Sequence, residues 1–169
     1  MQGMFLMKRE NIIKNTNFLK ERMIDLQLRD IMTNQVVYVS PYTPVEQVAQ
    51  LMQKHNVGSI PVCDESGNIR GIITDRDIVV RNVAHGTDAK TLKASDVMTS
   101  QVTMAAPSMS VSEASRMMAE RQVRRLPIVE NNRLIGMIAL GDLAVNRRTD
   151  MEASEALSDI SSPSKPEKV

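Results

Sequence analysis

The sequence is poor in aromatic residues. Phe5, Phe18, Tyr38 and Tyr42 are the whole set among 169 residues, and there is no tryptophan. Four rings are too few for the base-stacking platforms of single-strand binders. An excess of one charge is also missing: 21 Lys+Arg stand against 20 Asp+Glu, a net charge of +1. That balance argues against a dedicated nucleic-acid binder, which carries a basic surplus. A single cysteine, Cys63, excludes an intrachain disulfide framework and points to a reducing, cytoplasmic compartment. Two histidines, His55 and His85, leave little for a His-based metal site or a catalytic triad. No apolar run approaches the roughly 18 residues that cross a bilayer. By exclusion, the composition suits a binding or regulatory module better than a hydrolase.

What the chain does have is methionine, 13 in all, within a hydrophobic content of 42%. That is enough for one aliphatic, Met-filled core. Residues 1–27 do not match the rest. They are polar, lack the apolar stretch of a signal peptide, and contain several possible initiators, Met23 among them. They read as a flexible or added extension; the alternative is a helical arm used in dimerisation, with Phe5, Ile12, Ile13, Phe18 and Leu19 as a weak apolar face.

An internal repeat follows. Asp30-Ile31-Met32-Thr33 returns 66 residues later as Asp96-Val97-Met98-Thr99. At the same offset Pro41 matches Pro107, Val45 matches Val111, Met52 matches Met118, Val57 matches Val123 and Pro61 matches Pro127. After a one-residue deletion, Gly71 matches Gly136, Ile73 matches Ile138 and Asp77 matches Asp142. The repeats occupy 28–87 and 94–145, with a partly disordered C-terminal tail over 146–169.

Each copy reads as strand, helix, strand, strand, helix. In the first, Val36–Val39 is a short strand, and Thr43-Pro44-Val45-Glu46 has the form of a capped helix start. Val45, Val48, Ala49 and Met52 share one helical face. Ile60–Cys63 and Ile69–Thr74 form a hairpin about Asp64–Asn68. A helix runs from about Asp75 to Ala84, and Gly86 stops it. In the second copy Ser110 and Glu113 form a capping box, Leu134–Ala139 closes a hairpin, and Leu140–Val145 is the last short helix. The tail could add an amphipathic turn through Ala153, Ala156, Leu157 and Ile160. One such unit is marginal alone, so the fold class is α/β (α+β), two copies packed about a pseudo-twofold axis with a cleft between them.

The chemistry-bearing residues lie where strand runs into helix. In Gly71-Ile72-Ile73-Thr74-Asp75-Arg76-Asp77, a helix N-terminus would favour an anion such as phosphate. Gly71 would admit a ligand or backbone closely. The Thr74 hydroxyl can bond a phosphate or sugar oxygen, and the Asp77 carboxylate can accept from both hydroxyls of a ribose. Thr74 and Asp77 at this spacing also form a capping box, which needs no ligand. Arg124 and Arg125 could offer guanidinium contacts to a phosphate or be a solvated pair, with Arg76 a further candidate. Cys63 reads as a buried small hydrophobe. His55 and His85 read as caps or surface residues, and Met52, Met117 and Met118 as core.

The duplicated unit, the pairs Ile60-Pro61 and Leu126-Pro127, and the Gly71…Thr74…Asp77 pattern resemble a tandem CBS-domain pair, or Bateman module. Val-Arg-Arg-Leu-Pro-Ile-Val at 123–129 and Ala-Leu-Gly-Asp-Leu-Ala at 139–144 add to the likeness, which covers about residues 28–145 and is similar to small stand-alone bacterial two-CBS proteins. The resemblance implies two β-α-β-β-α units and an adenosine-type ligand: AMP or ATP foremost, also ADP, S-adenosylmethionine or NAD. It implies that Thr74 and Asp77 hold ribose and phosphate, that Ile60 and Pro61 meet the adenine, and that Val37 and Tyr38 line the same pocket. The matching positions of the second copy are Ala139, Asp142, Leu126, Pro127, Thr103 and Met104. Ala139 lacks the hydroxyl of Thr74, so the second pocket is expected to be weaker.

The leading expectation is a non-catalytic sensor that presents a changed surface to a protein partner of unknown identity. The alternative is a dimerisation or interaction module without a physiological ligand. An enzyme comes third, for want of a nucleophile–base pair. A homodimer is expected, because four apolar helix faces exceed what one pair of units can bury.

Overall fold

A computed structural model describes residues 26–145 and 150–161; the reading of residues 1–25 falls outside them. The helices are α1 (Val45–His55), α2 (Asp75–Arg81), α3 (Ala94–Val97), α4 (Val111–Arg121), α5 (Leu140–Val145) and α6 (Asp150–Ser161). The strands are β1 (Ser59–Cys63), β2 (Ile69–Thr74), β3 (Arg125–Glu130) and β4 (Arg133–Ala139). Short 3-10 turns occupy Leu28–Asp30 and Val83–His85. The chain divides into two compact units. Among the described residues, one holds 26–32, Pro107–Leu126, 138–145 and 150–161; the other holds Thr33–Ala106 and Pro127–Met137.

In the larger unit, β1 and β2 pair antiparallel, with Ile60 opposite Ile73 and Pro61 opposite Ile72. The hairpin turn is built from its own polar side chains. Asp64 Oδ1 accepts from the Ser66 and Asn68 amides at 3.0 and 2.9 Å. Gly67 takes a φ of +80°, which a β-carbon would resist. The β3–β4 turn does the same with Asn131 and Asn132 at positive φ, the geometry of a type I′ hairpin. The apolar face of α1, Val45, Val48 and Met52, packs with Val39, Ile60, Val62, Ile73, Ala94 and Val97 in one aliphatic core. Met52 and Met118 are core, as their helical spacing predicts, and Met117 is half-buried.

Three sequence expectations change. The strand expected over Val36–Val39 is reduced to one parallel bridge, Val39 to Val62, matched by Ala105 to Ile128. Thr43 does not cap α1. Pro44 occupies the cap position, and Thr43 Oγ1 accepts from the Ser40 amide at 3.1 Å instead. The reason is that loop carbonyls already serve the first amides of α1: Leu92 O takes Val45 N at 2.9 Å and Ala89 O takes Glu46 N at 3.0 Å. The helix expected to reach Ala84 stops at Arg81 and continues as the 3-10 turn, with Gly86 at φ +65° as its left-handed end.

In the other unit, the Ser110–Glu113 capping box forms as its sequence signature predicts, with Glu113 N donating to Ser110 Oγ and Ser110 N donating to Glu113 Oε2. The tail yields more than a turn: α6 is a helix of 12 residues lying on α4 and α5. Ala156 is buried and Ile160 half-buried, while Leu157 faces outward. Gln122, in the left-handed conformation after α4, donates through Nε2 to Ala119 O and, at 3.3 Å, to Asp159 O.

The segments that open the two sequence repeats are exchanged. Leu28 and Arg29 donate to Met109 O and Pro107 O, both at 3.0 Å, in the second repeat. Their equivalents Ala94 and Ser95 donate to Thr43 O and Pro41 O in the first, at 2.8 and 2.9 Å. Likewise Thr33 pairs with Met137, and Thr99 pairs with Ile72.

Candidate functional site

The Thr74–Asp77 junction is where β2 hands the chain to α2. Strand pairing fixes Thr74 opposite Ser59, and Asp75 N donates to Gly58 O at 3.1 Å. Thr74 Oγ1 donates to Asp77 Oδ2 at 2.7 Å and accepts from Asp77 N at 3.1 Å. Thr74 N donates to the same Oδ2 at 2.8 Å. The capping box is therefore complete. It leaves one carboxylate oxygen, Oδ1, whose ion-pair partner among the described residues is Arg81 NH1 at 3.4 Å. The amides that might have cradled a phosphate are occupied, since Asp75, Arg76 and Asp77 donate to Gly58 O, Asp75 Oδ1 and Thr74 Oγ1 respectively. What the junction can still offer is an acceptor, Asp77 Oδ1, and the remaining lone pair of the Thr74 hydroxyl.

The unit that holds Thr74 and Asp77 also holds Val37, Tyr38, Ile60, Pro61, Gly71, Arg76, Thr103, Met104 and Pro127. Bonds from Val39 N to Pro61 O and from Cys63 N to Val39 O bring the Val37-Tyr38 stretch alongside β1. Tyr38 is 55% exposed and Met104 38%, so both side chains are open to solvent. Ile60 and Leu126 are fully buried in core positions, so their side chains cannot meet an adenine; only the backbone there could. Gly71 also changes meaning. A β-carbon on it would strike the Met98 side chain, including Cγ at 2.9 Å, so the close neighbour it accommodates is Met98.

Arg124, Arg125, Leu126 and Asp142 belong to the other unit. Its junction repeats the backbone pattern. Leu140 N donates to Arg124 O at 2.9 Å, and Ala139 N donates to Asp142 Oδ2 at 2.8 Å. The hydroxyl half of the box is missing, as Ala139 dictates. Neither Arg124 nor Arg125 makes an ion pair with a described carboxylate. Arg76 is likewise exposed at the surface of α2.

Elsewhere, burial pushes the Cys63 thiol up to about 11, with the charge of Asp64 adding to it, so it is a poor nucleophile. His55 and His85 are exposed at helix ends. Among the described residues no group of three His, Cys, Asp or Glu side chains is placed to hold a metal ion. No helix among them is long and apolar enough to cross a membrane. Sequence reasoning missed Arg81, although its four-residue spacing from Asp77 was readable as a helical ion pair.

The sequence model of the CBS domain matches this chain twice, over residues 28–82 and 94–146. The chain belongs to the CBS-domain family. A CBS-domain pair is a regulatory module. The "CBS domain-containing protein YhcV" of Bacillus subtilis is 48% identical over 79% of this chain and 94% of its own length. The crystal structure of Hypoxic Response Protein I with two coordinated zinc ions superposes with a TM-score of 0.66 at 33% identity, over 70% of this chain and 96% of that one. A CBS protein solved in complex with AMP, CBSX2, gives a TM-score of 0.62 at 26% identity, over 69% of this chain and 92% of that one. In this CBS pair the two junctions are chemically unequal: Thr74 supplies a hydroxyl where Ala139 supplies none.

Proposed function

We propose that this CBS pair is a non-catalytic cytoplasmic sensor whose first repeat binds an adenosine-type nucleotide at the Thr74–Asp77 junction. The observation that carries the reading is Asp77 Oδ1, which lies outside the capping box and faces Arg81 NH1 at 3.4 Å. It is an acceptor-only oxygen on a carboxylate held by a complete capping box, suited to the adjacent hydroxyls of a ribose. The structurally similar CBSX2 with its bound AMP supports the ligand class, with AMP or ATP foremost and S-adenosylmethionine or NAD as variants. Tyr38, with the backbone of Ile60 and Pro61, lines the adenine end. Arg76, exposed on the same unit, is the cation for phosphate. The junction at Ala139 and Asp142 binds more weakly for lack of one hydroxyl.

The sensor acts as a homodimer. On α2 and the turn after it, Val79, Val80 and Val83 are 56%, 49% and 64% exposed, an apolar face for a second copy. Calorimetry with AMP, ATP, S-adenosylmethionine and NAD tests the ligand. Saturable binding that Asp77→Ala abolishes is the expected result, with the variant's fold checked by circular dichroism. No binding at millimolar nucleotide sinks the sensor reading. It would leave the interaction module, which the fully satisfied junction amides favour.

A further inference from the structure

Among the described residues Arg81 is the one charged side chain paired with Asp77 Oδ1, and it is anchored from behind. Its NH1 donates to the Val97 carbonyl at 2.6 Å and to Thr99 Oγ1 at 3.2 Å, and lies 3.4 Å from Asp77 Oδ1. Two of these partners are 16 and 18 residues away in sequence, so the guanidinium is fixed by tertiary structure and not by its own helix. Thr99 is itself fixed by its paired bonds with Ile72 on β2. Asp77 is thus oriented from two sides, by Thr74 at Oδ2 and by Arg81 at Oδ1. At the 65-residue offset that matches Asp77 to Asp142, the position matching Arg81 is Asn146, which carries no charge.

We propose that Arg81 is a positioning residue for the ligand site of the first repeat. Held by Val97 and Thr99, it sets the Asp77 carboxylate so that Oδ1 faces a vicinal diol, and it makes the first repeat the stronger of the two sites. This inference rests on the nucleotide reading above.

The test is calorimetry on the full chain with AMP and with 2′,3′-dideoxy-AMP, which lacks the diol. Arg81→Met is expected to weaken AMP binding about tenfold, the scale of losing a hydrogen-bonded charge. The same variant should leave dideoxy-AMP affinity within about twofold of wild type, because the diol contact is already absent. Arg81→Lys should recover most of the AMP affinity, since one terminal nitrogen makes all three contacts. Thr99→Val, which keeps Arg81 and removes one anchor, should fall between wild type and Arg81→Met, and serves if Arg81→Met does not fold. Equal losses for both nucleotides would reduce Arg81 to a structural clamp and overturn the proposal. Unchanged AMP binding in Arg81→Met would also overturn it while leaving the nucleotide reading intact. Absence of AMP binding in the wild type would overturn both.

Discussion

Gly71→Ala separates two explanations of the same glycine. The position is buried in β2, and an added methyl would meet the sulfur, Cγ and Cβ of Met98, the last two at 2.9 and 3.1 Å. The sulfur can swing away. The β-carbon cannot, because the Met98 backbone is held by Met98 N to Ala94 O at 2.9 Å and Thr99 N to Ile72 O at 2.9 Å. Overpacking of this kind costs about 1–3 kcal/mol. Alanine recovers about 0.4–1 kcal/mol by restricting the unfolded chain. The net expectation is a loss of about 1–2 kcal/mol, or a drop in Tm of roughly 3–8 °C for a domain of this size. Denaturant unfolding followed by circular dichroism reads it, and a cycle with Met98→Ala assigns it. In the Met98→Ala background, which removes the sulfur and Cγ and keeps the β-carbon, the same glycine substitution should cost markedly less. An equal loss in both backgrounds would refute the Met98 explanation. Full stability with weakened nucleotide binding would return Gly71 to the ligand site.

Ser115 is 4% exposed within α4, and its hydroxyl has no partner. Ser115→Ala should therefore hold or raise stability by about 0–1 kcal/mol, against the usual cost of a core change, as thermal unfolding would show. Ala139→Thr should complete the second junction's capping box on Asp142 and add about 0.5–2 kcal/mol, measured the same way. Bonds from Asn68 first, then from Arg70 and Ser66, hold the Asp64 carboxyl below its usual range. A depressed folded-state pKa gives stability that is present above the ordinary carboxylate range and lost as pH falls through the folded value. Asp64→Asn should thus flatten the acid side of the stability profile and leave a smaller difference from wild type at low pH than at neutrality.

What the sequence made readable was local. Capping boxes depend on residues three apart, so those at Thr74–Asp77 and Ser110–Glu113 could be found by inspection, as could the hairpin turns with their Gly and Asn residues. What it concealed depended on distant partners. The α1 cap looked like Thr43, but the carbonyls of Ala89 and Leu92, more than 40 residues away, satisfy those amides instead. The family resemblance casts Ile60 as a pocket wall, yet β1 is buried along its whole length and its side chain is core. The four-residue spacing of Asp77 and Arg81 carried a pairing signal that the sequence reading missed, and nothing local signalled the anchors on Val97 and Thr99. The helix over Asp150–Ser161 depends on α4 and α5 to cover its apolar side, a condition absent from its own composition.

The traded opening segments bear on how such a chain arises. A gene encoding a single repeat would produce a protein whose own first residues do not complete its own helix start or strand edge. Such a half-length ancestor would find those pieces only on a neighbour, and would be built as a reciprocal pair from the outset. Joining two copies into one gene would bring the exchange inside one polypeptide and free each half to diverge. Thr74 against Ala139, and Arg81 against Asn146, are the kind of divergence that a fused pair permits and an identical pair does not.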